Sequence, residues 1–259
     1  MNRIIFLHHS TGNCIWLGDT NHYLSRLGIK GSVQKFFESW NKRNNTEYLI
    51  SEQVFPKKSP YGWKNYPFDY YNIWVRNAGH ERYMEEPTLE ILTADFDTII
   101  FKHCFPVGRI REDTGKPDIN SDEKKLENYK LQYNALKAKL HSFPDKKFII
   151  WTPPALVKSQ VSQEQALRTR EFCRWIVEEW DEPTSNIFVW DFNSYETEGD
   201  LYLREEYAIS ASDSHPNRAF SEKMAPVFAK FIIDVIEQNQ YLSENEDNQY
   251  FQENTARNY

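Results

Sequence analysis

Polar, titratable residues gather in four short segments of this chain: His8-His9-Ser10-Thr11-Gly12, Asn77-Ala78-Gly79-His80, Lys102-His103-Cys104-Phe105-Pro106 and Ser212-Asp213-Ser214-His215-Pro216-Asn217. These segments hold His8, His9, His80, His103 and His215, most of the 7 histidines present. A hydroxyl beside an imidazole, with a carboxylate near it, is the raw material of nucleophilic catalysis. A histidine cluster is also the raw material of a zinc site. No His-x-His, His-Glu-x-x-His or Cys-x-x-Cys spacing supports that second reading. The sequence therefore predicts no metal and no cofactor. His8 and His9 are neighbours on an extended segment, so their side chains point to opposite faces and at most one can face a shared site.

The elements that must position these segments alternate. Short apolar runs at Arg3–His8, Tyr48–Phe55, Asp97–Lys102, Lys147–Thr152 and Asn186–Asp191 read as strands. Amphipathic stretches at Gly31–Lys42, Glu85–Leu92, Ser121–Ser142 (Ser121 as N-cap), Ser162–Trp180 and Asn217–Gln238 read as helices. Residues 56–76, dense in Pro, Lys and aromatics, read as a long loop. Strands separated by helices build a parallel sheet, and continuous apolar strands belong to a sheet covered on both faces. The expectation is one flavodoxin-like α/β domain over residues 1–238, a three-layer α/β/α sandwich around about five parallel strands. A polar, acidic tail over 239–259 is expected to fray. In such folds ligands sit beyond the carboxyl ends of the strands, and the four polar segments fall at or near that edge.

Composition narrows the function classes. The chain has 259 residues, a net charge of -7, 15% aromatic residues and 9 glycines. The acidic balance argues against nucleic acid as a partner. Scarce glycine weakens a nucleotide-cradling reading. The mean hydropathy of -0.73 argues against a membrane protein. Three cysteines, with no secretory leader visible, point to a reducing, cytoplasmic setting. Nothing in the sequence defines an oligomeric state.

The Asp-x-His-Pro-Asn segment ahead of a C-terminal helix, with a serine directly after the first strand, resembles the SGNH (GDSL-like) hydrolase superfamily from about residue 3 to 235. The resemblance implies a serine esterase, and the aromatic-rich segment 56–76 tilts its substrate from a small ester toward a carbohydrate-linked one. The resemblance makes Ser10 the nucleophile, His215 the base, Asp213 the acid and Gly79 a backbone donor to the oxyanion. The chain departs from the family in three places. The usual Gly-Asp-Ser is His8-His9-Ser10. The family aspartate position, three before the histidine, is Ser212, while Asp213 stands two before. The oxyanion asparagine after the third strand is replaced within Lys102-His103-Cys104-Phe105-Pro106, which leaves Lys102 or His103 as candidate substitutes. His9 and Trp16 are further candidate pocket residues.

Plainer roles compete with each of these. Ser10 suits a helix N-cap, Asp213 an Asx-turn or a cap of the last helix, His215 and Gly79 ordinary turns, Cys104 a buried inert thiol, and Lys102 an exposed strand end. Trp16 serves equally as core. Tyr61, Trp63, Tyr66, Phe68, Tyr70, Tyr71 and Trp74 are read either as a lid packed on the sheet or as a stacking wall for a sugar. The rival to an esterase is a ligand- or carbohydrate-binding protein on the same fold, without turnover. A metal-dependent hydrolase is the third reading.

Overall fold

A computed structural model describes residues 1–20, 27–180, 182 and 185–237. The expected tail at 239–259 lies outside the described residues. Five parallel strands form the central sheet: β1 (Asn2–His8), β2 (Tyr48–Val54), β3 (Thr98–Phe101), β4 (Lys147–Trp151) and β5 (Ile187–Trp190), in the order β2-β1-β3-β4-β5. This is the flavodoxin-like order, with the reversal between β1 and β3. All five carboxyl ends therefore lie on one edge, and Ser10 and Cys104 follow the two strands that flank the reversal.

Alternation along each strand divides the core. Ile5, Leu7, Ile99, Phe101, Phe148 and Ile150 face one layer, while Ile4, Phe6, Ile100, Ile149 and Trp151 face the other. Neither face of β1, β3 and β4 is left to water, which is why these strands read as unbroken apolar runs. The first layer contains α3 (Pro67–Tyr71), α4 (Leu89–Asp95), α5 (Leu126–His141) and α6 (Gln163–Trp175). The second contains α1 (Ser10–Leu17), α2 (Ser32–Asn44) and α8 (Arg218–Ile236). A short helix, α7 (Phe192–Thr197), follows β5. A two-stranded antiparallel ribbon, β6 (Ala208–Ser210) with β7 (Asp213–Pro216), precedes α8.

Three expectations need correction, the first being the helix expected over Glu85–Leu92, which runs instead from Leu89 to Asp95 after a bridge between Tyr83 and Glu86. Residues 56–76 are not a plain loop. Pro67 opens α3, and the Asp69 carboxylate accepts the Tyr66 N–H at 3.3 Å. A further helical turn spans Asn72–Arg76. Tyr66, Tyr70 and Trp74 are buried at helical spacing, a pattern hidden by the surrounding prolines and lysines. The helix expected from Ser121 begins at Leu126 instead. Lys125 is extended and its segment bridges to Arg111, so the chain cannot coil there. Ser121 accepts the Glu123 N–H in a turn.

α1 sits unusually close to the sheet. A Cβ on Gly12 would lie 2.5 Å from the His8 Cβ and 3.0 Å from the Lys102 Cδ. The His8 atom is next to backbone and has little room to yield. Gly12→Ala is therefore expected to lower stability by about 1–3 kcal/mol, measured as a shift in the urea midpoint at constant slope. An unchanged midpoint would mean that α1 can lift off the sheet without loss.

Candidate active site

Ser10 is the first helical residue of α1, and the cap position is His9. The N-cap role for Ser10 is thereby corrected: its hydroxyl turns away from the helix and meets the His215 Nε2 at 2.8 Å. The first intrahelical bond runs from the Asn13 N–H to the His9 carbonyl. The N–H groups of Ser10, Thr11 and Gly12 thus lack helical acceptors and form the positive end of the helix dipole.

His215 and Asp213 come from β7. On a strand, residues two apart share a face. That periodicity carries both side chains toward Ser10, and the His215 Nδ1 meets the Asp213 Oδ1 at 2.6 Å. The same oxygen accepts the His215 N–H at 3.0 Å. This backbone bond, followed by the side-chain bond, holds the Asp213 carboxyl below its usual range. Ser214 points the other way, where it is buried and accepts the Val157 N–H at 3.0 Å. A spacing of two therefore suits a strand, and the departure at Ser212 leaves the carboxylate in place. The Asx-like bond and the imidazole bond coexist on one oxygen. The last helix has its own cap, Asn217, whose side chain accepts the Phe220 N–H. The Phe105 ring meets the His215 ring edge-on, with centroids 4.9 Å apart.

Cys104 lies behind Ser10. Its Sγ is 3.5 Å from the Ser10 Oγ and 3.6 Å from the Thr11 Oγ1. Burial raises this thiol, but the Lys102 ammonium, the side-chain bonds shared with Ser10 and Thr11, and the bond from the Phe105 N–H outweigh it, and the net shift is downward. The sequence reading took Cys104 as inert and missed this contact. The available signal was its place just after β3, at the carboxyl edge that also carries Ser10.

Lys102 is completely buried rather than exposed. Its Nζ donates to the His103 carbonyl at 2.7 Å and lies 5.7 Å from the centre of the Trp151 ring. Burial lowers its pKa, while Cys104, Glu196 and Cys14 oppose the shift. Lys102 therefore acts on this region as a charge beneath the surface. Glu196 is buried too. Its Oε2 accepts the Ala155 N–H at 2.7 Å, and burial pushes its carboxyl well up.

Other expected pocket residues are not brought to Ser10. His103 points into the opposite layer, where its Nε2 meets the Tyr133 hydroxyl at 2.6 Å and its ring abuts Tyr70. Trp16 is core, packed on Phe6. Gly79, at φ 144°, sits in the turn before α4, with its carbonyl accepting the Thr88 hydroxyl at 2.6 Å. Among the described residues no hydrogen bond ties Gly79 to Ser10 or His215. The aromatic segment is mostly core, with Tyr66, Tyr70, Tyr71 and Trp74 buried. Trp63 alone in that group is strongly exposed, at 48%. It stacks on His9 at 4.9 Å. His8 bonds Glu52 at 2.7 Å. Among the described residues no three His, Cys, Asp or Glu side chains converge as metal ligands. No described helix is long and apolar enough to cross a membrane.

Compared with models of protein families and with curated proteins, the chain has no match.

His9 donates its Nε2 proton to the Pro56 carbonyl at 2.8 Å and so pins the aromatic segment to α1. Burial, then the Lys102 charge, lowers its pKa from 6.5 to about 4. In that interval the unfolded chain binds a proton at His9 and the folded chain does not, so stability falls as pH falls. The loss attributable to His9 is roughly 3 kcal/mol across the window. His9→Gln should flatten the wild-type decline between pH 6.5 and 4 in urea melts. An equally steep decline in the variant would place the acid sensitivity elsewhere.

Proposed function

We propose that this protein is a serine esterase of the SGNH type. The observation that carries the proposal is the hydrogen-bonded line from the Ser10 hydroxyl through His215 to Asp213 at the first turn of α1. A serine hydroxyl becomes a useful nucleophile when a base within hydrogen-bond reach takes its proton. Asp213, kept ionised by its bonds to His215, selects the tautomer with the proton on Nδ1, which leaves Nε2 free to act as that base.

In this reading the Ser10 Oγ attacks an ester carbonyl while its proton passes to the His215 Nε2. The tetrahedral oxyanion is held by unpaired N–H groups at the start of α1, with the helix dipole adding to the field. His215 then gives its proton to the departing alcohol, leaving an acyl group on Ser10. Water, deprotonated by His215, releases the acid and restores the serine. The Cys104 thiol, a weak donor, stands where the family has an asparagine amide, so the backbone carries more of the oxyanion stabilisation. The exposed Trp63 ring offers a face for a sugar, which favours a carbohydrate-linked ester.

A second reading draws on the same Cys104 position: with a weak donor there, the cleft binds a glycan ester without turning it over. One experiment separates the two. A fluorophosphonate probe and p-nitrophenyl acetate are offered to the wild type, Ser10→Ala, His215→Ala and Asp213→Asn. The esterase reading expects labelling and hydrolysis in the wild type, loss of about 10⁴-fold or more in the first two variants, and a loss of up to about 10⁴-fold in the third. Labelling that persists in Ser10→Ala would remove Ser10 from the chemistry. A folded wild type that neither labels nor hydrolyses any ester would favour the binding protein.

A further inference from the structure

The chain is acidic overall, yet cations cluster around the Tyr66 ring, in the segment that follows Trp63. Lys64 and Lys124 both lie over the Tyr66 ring, with their Nζ atoms 5.9 Å and 5.5 Å from its centre. Arg111 is joined to the same place through its backbone, since its N–H donates to the Lys124 carbonyl at 2.6 Å. Arg109 precedes it by two residues, directly after the turn Phe105–Gly108 that rests on His215. Lys64, Arg109 and Arg111 are exposed, and Lys124 is half-buried. Burial, then the charges of Arg109, Lys64 and Arg111, lowers the Lys124 pKa, as crowding of like charges requires.

The cluster is tied to the catalytic serine by short steps. The Asn65 carbonyl, between Lys64 and Tyr66, accepts the Cys104 N–H at 3.4 Å, and the Cys104 Sγ is 3.5 Å from the Ser10 Oγ. Trp63, one residue before Lys64, is the exposed ring stacked on His9. Of the carboxylates in the neighbouring segment, one serves the cluster and the others are committed elsewhere. Asp122 pairs with Lys64 at 2.7 Å, Glu123 with Lys125 at 2.6 Å, and Asp113 accepts the Glu127 N–H. Among the described residues Arg109, Arg111 and Lys124 form no ion pair, and neither does Glu112. Folding therefore sets four cations near one another beside a stacking ring, with Lys64 paired to Asp122 and the other three without an ion pair among the described residues. A bound anion would relieve their repulsion, and arginine forks suit carboxylate or phosphate oxygens.

We propose that Lys64, Arg109, Arg111 and Lys124 form a subsite for an anionic group on the alcohol side of the substrate, so that the preferred ester is an acylated sugar bearing a carboxylate or phosphate. Trp63 takes the ring and the basic cluster takes the charge, while the ester carbonyl faces Ser10. The turnover part of this inference rests on the esterase reading, but the binding part does not.

The test compares three probes on the full chain: 3-O-acetylated methyl glucoside, its 6-carboxylate and its 6-phosphate. The expected result is a kcat/KM at least about tenfold higher for one or both charged probes at low salt, shrinking as added salt screens the cluster. The two charged arms tell carboxylate from phosphate. In Arg109→Gln/Arg111→Gln, checked for folding by circular dichroism, the charged-to-neutral ratio should collapse toward one. Equal rates on all three probes in the wild type, or a ratio unchanged in the double variant, would overturn the subsite. If no acetate is released from any probe, the esterase reading is what fails, and binding decides the subsite. Saturation-transfer NMR with the corresponding unacetylated sugars should then show contact with a charged sugar over the neutral one, weakened in the double variant. No such difference would overturn it.

Discussion

The arrangement depends on how closely α1 can approach the ends of β1 and β3. Gly12 makes that contact possible, because any side chain there would run into His8 and Lys102. The approach places the first turn of α1, whose N–H groups have no acceptor within the helix, beside the carboxyl edge of the sheet. It brings the Ser10 and Thr11 hydroxyls onto the Cys104 thiol. It also seals Lys102 from water, so that a cation becomes part of the floor. A helix standing a few ångströms further out would leave Lys102 hydrated and Ser10 beyond the reach of β7.

The hydrogen-bonded line at Ser10 combines three kinds of order. A helix start presents the hydroxyl, a strand presents the imidazole and carboxylate on one face, and a parallel sheet brings the two pieces together across some two hundred residues of chain. Asn217 secures the join: besides capping α8 it donates to the Glu206 and Ala208 carbonyls. The strand carrying His215 is thereby held between the β6 ribbon and the last helix. Preorganisation of this sort matters because a donor or base displaced by about 1 Å loses much of its effect on a transition state.

Most of the histidines at this edge have structural tasks. His8 is bonded to Glu52, His9 to Pro56 and His103 to Tyr133. Burial keeps His9 and His103 neutral at ordinary pH by lowering their pKa values. A histidine-rich edge therefore gives little information about metal chemistry. Each imidazole here solves a local hydrogen-bonding problem in a crowded place. The aromatic segment behaves similarly. Its rings mostly fill the layer against β3 and α5, and one of them, Trp63, stays exposed.

The sequence by itself determined the layers. Unbroken apolar strands and amphipathic helices state, residue by residue, how much of each segment must leave water, and burial on two faces permits few architectures. It also determined which ends carry polar groups, including Ser10, Asp213 and His215. Local pattern could not show where Lys102 and His103 point, because one step along an extended segment changes the layer a side chain enters. That parity sent Lys102 under α1 and His103 against Tyr133. Tertiary packing likewise turned the 56–76 segment helical, delayed α5 to Leu126 and set the Cys104 thiol on Ser10. Those outcomes depend on contacts between residues far apart in the chain, and such contacts exist only once the sheet has assembled.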